Sequence, residues 1–429
     1  MSLVVRQLNV KDITPEEEMD VVQSLLPPNY DFEILKTIRK IRQCKALHVV
    51  LQFPEGLLMY AQPIAAILET FCDVEVTIMG DVTYGACCID DLVAQYLGAT
   101  LVVHYGHSCL VPVTQVPDVN FLYVFVTIKF DTRHLVETVV SNFPPGGSWG
   151  SRMALMGTIQ FSPVLAEAKE ALEAHYNPGT VLVPQVSPLT PGEVLGCTSP
   201  QLAGSPEGRA AGGCCSSSQA DMEDMPVTPE GADLVVFTAD GRFHLESALI
   251  HNPHIRFVRY DPVGKRLLEE KYDHQTLMQR RREAVSETRG AQTVGLVLST
   301  LGRQGSIGVL QGIGRLLEAA GINYYCVLLS EILPFRLEPL AGFTDAFIQV
   351  GCPRLSLDWG HHYKKPLLTP YEAHVAFGNY QFPKTHIPMD FYSHEGGPWS
   401  NYGVDHRMGN QKKHEMDRRE LLRRKLANK

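Results

Sequence analysis

Three cysteines occupy polar, glycine-bearing turns that each follow an apolar run: Cys87 in "GDVTYGACCIDD" (80–91), Cys197 in "PLTPGEVLGCTSP" (188–200) and Cys352 in "GCPRLSLDWG" (351–360). Thiolates serve as nucleophiles, redox groups or soft-metal ligands. No CxxC pair and no CxxxCxxC run occurs in the chain, and a structural zinc site draws four ligands in closely spaced pairs, which these residues do not offer. Three thiolates from separate loops leave one coordination position over. That count fits a [4Fe–4S] cluster with one iron open to a substrate. The plainer reading is that they act as small hydrophobes, as Cys44, Cys72, Cys109 and Cys326 do in their apolar segments. Cys88, beside Cys87, points differently and is expected to pack.

Other polar groups stand at strand ends. "STLGRQGS" (299–306) is a Gly-rich turn opening a helix, whose amides and Arg303 could hold a carboxylate or phosphate, or which could be a plain tight turn. "HYGHS" (104–108) and "DGRFHLES" (240–247) bring His107, Asp240, His244 and Glu246 towards the expected crevice, though each such residue is more often structural. Arg354, Ser356 and Asp358 follow Cys352 and could support it. Gln52, Gln160, Asp240, Ser299, Gly302, Arg303 and Gln304 are the candidates for cofactor contact, because all sit where strands end.

Positioning these turns requires strands. "ALHVVLQFPEGLL", "VEVTIMG" and "ATLVVHYGHS" alternate with helical stretches, then "MALMGTIQF", "TVLVPQV" and "ADLVVFTADGRFH", then "TVGLVLSTLGRQGS", "NYYCVLLSE" and "DAFIQVGCPRLS". Continuous apolar strands separated by helices indicate buried parallel sheets. The expected fold is α/β, with three pseudo-repeated domains of mainly parallel sheet: residues 28–148 with Cys87, 149–292 with Cys197 and 293–392 with Cys352. Residues 1–27 form an N-terminal extension and 393–429 a basic tail. The stretch 199–231, rich in Gly, Ser, Pro and Ala, reads as a disordered insertion whose Cys214 and Cys215 are spare thiols.

With 429 residues, 45% of them hydrophobic, the chain is large enough for two or three cores. A formal net charge of −9 argues against a general nucleic-acid binder. The acidic start "MSLVVRQLNVKDITPEEEMD" is unlike a secretory signal, and no run reaches the length of a membrane span, so a cytoplasmic protein is expected.

"FPEGLL", "GDVTYGACCIDD", "HYGHSCL", "TIQF", "PLTPGEVLGCTSP", "DGRFHLES", "LGRQGS", "LLSEI", "CPRLSLDWG", "KPLLTPYEA" and "PMDFY" together resemble the diphthamide-synthesis family, and its eukaryotic subunit 1 branch most closely, from about residue 28 to 392. The resemblance implies a non-standard radical S-adenosylmethionine enzyme whose three α/β domains are arranged around a central iron–sulfur site, a [4Fe–4S] cluster held by Cys87, Cys197 and Cys352, with Cys88 not a ligand. The implied reaction transfers a 3-amino-3-carboxypropyl group to a histidine of translation elongation factor 2, through a radical that adds to the imidazole. It implies further a heterodimer with subunit 2 of the same synthase and a small iron protein as electron donor. An insertion at 199–231 is longer than the family pattern requires. Two other classes are weighed beside it: a [4Fe–4S] dehydratase resembling quinolinate synthase, and a non-catalytic scaffold subunit.

Overall fold

Val49, Val50 and Leu51 are fully buried, which sets the character of the central strands: neither face is left to solvent. The computed structural model describes residues 24–108, 119–187, 189–202, 231–392 and 397–401. The basic tail, nearly all of the 199–231 insertion with Cys214 and Cys215, most of the N-terminal extension, and Cys109 lie outside the described residues.

After the two-residue strand β1 (Tyr30–Asp31), the first sheet is built from β2 (His48–Gln52), β3 (Glu75–Met79), β4 (Leu101–Tyr105) and β5 (Asn120–Val124), and β6 (Thr127–Ile128) pairs antiparallel with β1. Its order is β3-β2-β4-β5, all parallel. The second sheet uses β7 (Met153–Gly157), β8 (Val181–Leu182), β9 (Leu234–Thr238), β10 (Arg256–Asp261) and β11 (Arg266–Glu270) in the order β11-β10-β9-β7-β8. Only β11 runs antiparallel, as a hairpin with β10. The third comprises β12 (Thr293–Ser299), β13 (Asn323–Leu329), β14 (Ala346–Val350) and β15 (Leu367–Leu368) in the order β13-β12-β14-β15, all parallel.

Numbered within its own sheet, each set therefore has the strand order 2-1-3-4, which the antiparallel β11 extends by a fifth strand in the middle sheet. The expected threefold α/β repeat of mainly parallel sheets is present. The first crossover in each is a helix: Ala61–Cys72, Ser162–Glu173 and Ile307–Ala319. The middle sheet shows why its strands read as unbroken apolar runs. Leu155, Leu234 and Val236 enter one core and Met156, Val235 and Phe237 the opposite one. Burying each such side chain stabilises the fold by about 1.5–3 kcal/mol.

The chain divides into two compact units between Tyr272 and Asp273. The sequence reading ended its second domain at residue 292, but the helix His274–Thr288 lies with the second unit. Its Arg281 is buried there, with Nη2 2.7 Å from Glu372 Oε2, and it donates to the carbonyls of Ser356 and Leu367. Glu372 also closes a capping box with Thr369 at the start of the helix Pro370–Phe377. Among the described residues no helix is long and apolar enough to cross a membrane.

Candidate functional site

All three singled-out cysteines follow strand ends, where ligands gather in α/β sheets, but not at equivalent places. Cys87 and Cys197 lie after the second strand of their sheets, β3 and β8, whereas Cys352 lies directly after the third, β14. Each is of intermediate exposure and outside any disulfide, while Cys88 is 2% exposed and packed. Cys87 and Cys197 belong to the first unit and Cys352 to the second. Among the described residues no three His, Cys, Asp or Glu side chains form a ready metal cage.

Cys87 is carried on the 3-10 turn Ala86–Cys88, entered through extended Gly85. Beneath it lies Gln52, the last residue of β2 and 2% exposed. Gln52 Nε2 donates to the Cys88 carbonyl at 3.3 Å, and its Oε1 accepts from the Asp90 amide at 3.2 Å. Asp90 then caps the helix Asp91–Tyr96 by accepting from the Val93 amide. His104 Nδ1 is 3.3 Å from Gln52 Oε1, and its Nε2 is 3.1 Å from His107 Nδ1. Because a carboxamide oxygen only accepts, Nδ1 of His104 carries the proton and His107 donates to Nε2. Burial pushes His104 down to about 3 and His107 well below its ordinary value, with His104 and His244 adding to the latter, so both rings are neutral at pH 7.

Cys197 sits in a four-residue turn closed from both sides: Leu195 N donates to Thr198 O at 2.8 Å and Thr198 N to Leu195 O at 3.4 Å. Gly196 lies against Phe243, where a Cβ would come within 2.2 Å of Cε1. Gly196→Ala is therefore expected to displace the ring that begins the helix Phe243–His251, costing about 1–3 kcal/mol. A urea midpoint unchanged from the parent chain would remove the packing argument. Upstream, buried Glu193 takes the Thr190 amide at 3.0 Å, and downstream Asn252 holds the Pro200 carbonyl and the Leu202 amide.

Cys352 is the N-cap of the helix Pro353–Trp359, with its carbonyl accepting from Leu355 N at 3.2 Å and from Gln349 Nε2 at 2.8 Å. Arg354, 2% exposed, grips Asp358 with Nε at 2.7 and 3.0 Å from the two carboxylate oxygens. Ser356 is buried and meets Gln349 Nε2 at 3.2 Å. All three support the cysteine's helix from within.

The Gly-rich turn is real. Gly302 has φ +52 and a Cβ at Gly305 would fall 2.1 Å from Ser299 O, so both need glycine. Ser299 Oγ and Gln304 Oε1 lie 3.2 Å apart, both side chains buried, and Ser306 caps the helix Ile307–Ala319 through the Val309 amide. Of the seven expected cofactor contacts, Gln52, Ser299 and Gln304 are buried, whereas Gly302, Arg303 and Gln160 are half-buried and Asp240 is exposed. Gln160 Nε2 donates to the Gly106 carbonyl at 2.6 Å, and Arg303 offers its own carbonyl to Tyr392 OH at 3.0 Å.

Sequence reading missed His104, Asn252, Gln349, Arg281 and Glu372. A glutamine inside an otherwise apolar strand, as in "VVLQ" and "FIQV", was the available signal, since a buried carboxamide must be hydrogen-bonded.

A family model described as "Putative diphthamide synthesis protein" matches residues 53–386. The 2-(3-amino-3-carboxypropyl)histidine synthase subunit 1 of Dictyostelium discoideum is 45% identical over 392 residues, covering 91% of this chain and 77% of the relative. The protein of the same name from Homo sapiens is 46% identical over 399 residues, covering 92% and 83%. The crystal structure of Dph2 from Pyrococcus horikoshii with a 4Fe–4S cluster superposes with TM-score 0.62 at 23% identity, covering 84% of this chain and 94% of that one, a likeness of fold.

Proposed function

The chain belongs to the diphthamide synthesis protein family, and from that premise we propose that it catalyses the first step of diphthamide formation, moving a 3-amino-3-carboxypropyl group from S-adenosylmethionine onto a histidine of translation elongation factor 2. The observation that carries this reading is the match over residues 53–386, within which Cys87, Cys197 and Cys352 all stand partly exposed on strand-end turns. Three thiols outside any disulfide suit a [4Fe–4S] cluster with one iron left open, and buried Cys88 stays out of the set.

When bound and reduced, such a cluster supplies the electron that the sulfonium needs. The bond from sulfur to the γ-carbon breaks, methylthioadenosine leaves, and a carbon–carbon bond forms at the imidazole, which gives up one proton and returns one electron. This chain's residues bind and orient. The Gly302 turn and Arg303 form a site for the methionine carboxylate, and Gln160 and Asp240 are proposed to border the nucleoside. Holding the sulfonium in one orientation fixes which carbon–sulfur bond breaks. The name of the relatives points to a second subunit, and the active form is proposed to be that heterodimer, fed by a small iron protein in the cytoplasm.

Anaerobically purified heterodimer, a reductant and S-adenosylmethionine labelled in the aminocarboxypropyl carbons are expected to place label on one histidine of elongation factor 2. Label in free homoserine only, with none on the protein, would count against the transferase. Arg303→Ala should weaken S-adenosylmethionine binding about 10- to 100-fold, since a hydrogen bond to a charged group contributes about 1.5–3 kcal/mol. Unchanged affinity by calorimetry removes Arg303 from the site.

A further inference from the structure

We propose that Gln52, Asn252 and Gln349 are positioning residues: three buried carboxamides that clamp main chain at Cys88 and Asp90 beside Cys87, at Pro200 and Leu202 just after the Cys197 turn, and at Cys352 itself, and so fix where each thiol is presented. The inference rests on Cys87, Cys197 and Cys352 being the metal ligands.

The three side chains come from unrelated places. Gln52 ends β2, Gln349 lies within β14, and Asn252 follows the helix Phe243–His251. They are 2%, 0% and 1% exposed respectively. Two of them nonetheless make the same pattern. Gln52 donates to the carbonyl of Cys88 and accepts from the amide of Asp90. Asn252 donates to the carbonyl of Pro200 at 2.9 Å and accepts from the amide of Leu202 at 2.8 Å. In both cases a carboxamide bridges a carbonyl and the amide two residues on.

The third clamp differs. Gln349 Nε2 serves both the Cys352 carbonyl and Ser356 Oγ, while its Oε1 has no partner among the described residues. It lies under Gly351, where a Cβ would be 3.1 Å away. An unpaired buried carboxamide oxygen is unfavourable, and a leucine of similar size would avoid it. What the glutamine supplies and a leucine would not is the bond to the Cys352 carbonyl, a hold on the turn rather than packing. The strand order repeats in the three sheets but the clamps do not occupy equivalent positions, so they follow the cysteines and not the fold.

The test uses the full-length chain freed of metal, with hydrogen exchange read by mass spectrometry. Gln52→Leu is expected to speed exchange at least fivefold in the peptide spanning 84–92, and Asn252→Leu likewise in 196–202, with Val49–Leu51 and Val235–Phe237 still protected. Gln52→Glu and Asn252→Asp keep the acceptor and lose the donor, so they should restore part of the protection. They also decide the matter if the leucine variants exchange throughout. In the reconstituted protein, Gln349→Leu should broaden the EPR lines of the reduced cluster and shorten its half-life under chelator. Turn exchange rates equal to those of the parent chain, with unaltered EPR lines, overturn the proposal. Whether the cysteines are ligands is read separately, from iron content in their alanine variants.

Discussion

Cys87→Ala, Cys197→Ala and Cys352→Ala are each expected to abolish aminocarboxypropyl transfer and to remove the reduced [4Fe–4S] EPR signal, while Cys88→Ala keeps both. The expected loss exceeds about 100-fold, because changes one layer out from a metal already cost about 10- to 100-fold. Cys88 serves as the control because it is adjacent in sequence and opposite in environment: its side chain is 2% exposed and its carbonyl is tied to Gln52, whereas Cys87 is partly exposed at the same turn. Iron and sulfide assay with EPR on anaerobic protein makes the comparison. A cluster retained in any of the three variants removes that cysteine from the ligand set, and zinc in its place ends the radical reading.

Arg281→Met is expected to destabilise the second unit by about 3–5 kcal/mol, the usual cost of removing one partner from a buried ion pair. Arg281 and Glu372 are 3% and 0% exposed at their side chains. The guanidinium bonds both carboxylate oxygens at 2.7 Å and two carbonyls at 2.8 Å. Leaving Glu372 unpaired strands a charge that, among the described residues, only the Thr369 amide then meets. Arg281→Met with Glu372→Leu should recover most of the loss, since the pair's desolvation is removed with it. Denaturant unfolding followed for each unit separates the effects. A single variant with an unshifted midpoint, or a double variant no better than the single one, contradicts the account. The pair also reaches the site, because one of the carbonyls belongs to Ser356 in the helix that Cys352 begins.

Hydrophobic pattern carried the fold well. Runs such as "VVL" and "MALM" have no polar alternation because both faces of those strands are covered, and that rule is local. Shorter elements escaped it. β8 is two residues of the run "TVLVPQV", and β11 is a charged hairpin strand, "RLLEE", with one face open. The boundary at Tyr272 was illegible for a different reason: the partners of the helix His274–Thr288 lie about ninety residues away, in Glu372 and Leu367.

Sequence by itself determined the alternation of strand and helix, the three cysteine turns, the glycines of the 299–306 turn and membership of a family, since each depends on residue type and order within a short window. Tertiary structure alone decided how those turns are held. Gln52 meets Cys88 across 36 positions, and Asn252 meets Leu202 across 50. A polar side chain buried in a sheet must find its hydrogen bonds wherever the fold brings a partner, and no local pattern records that distance.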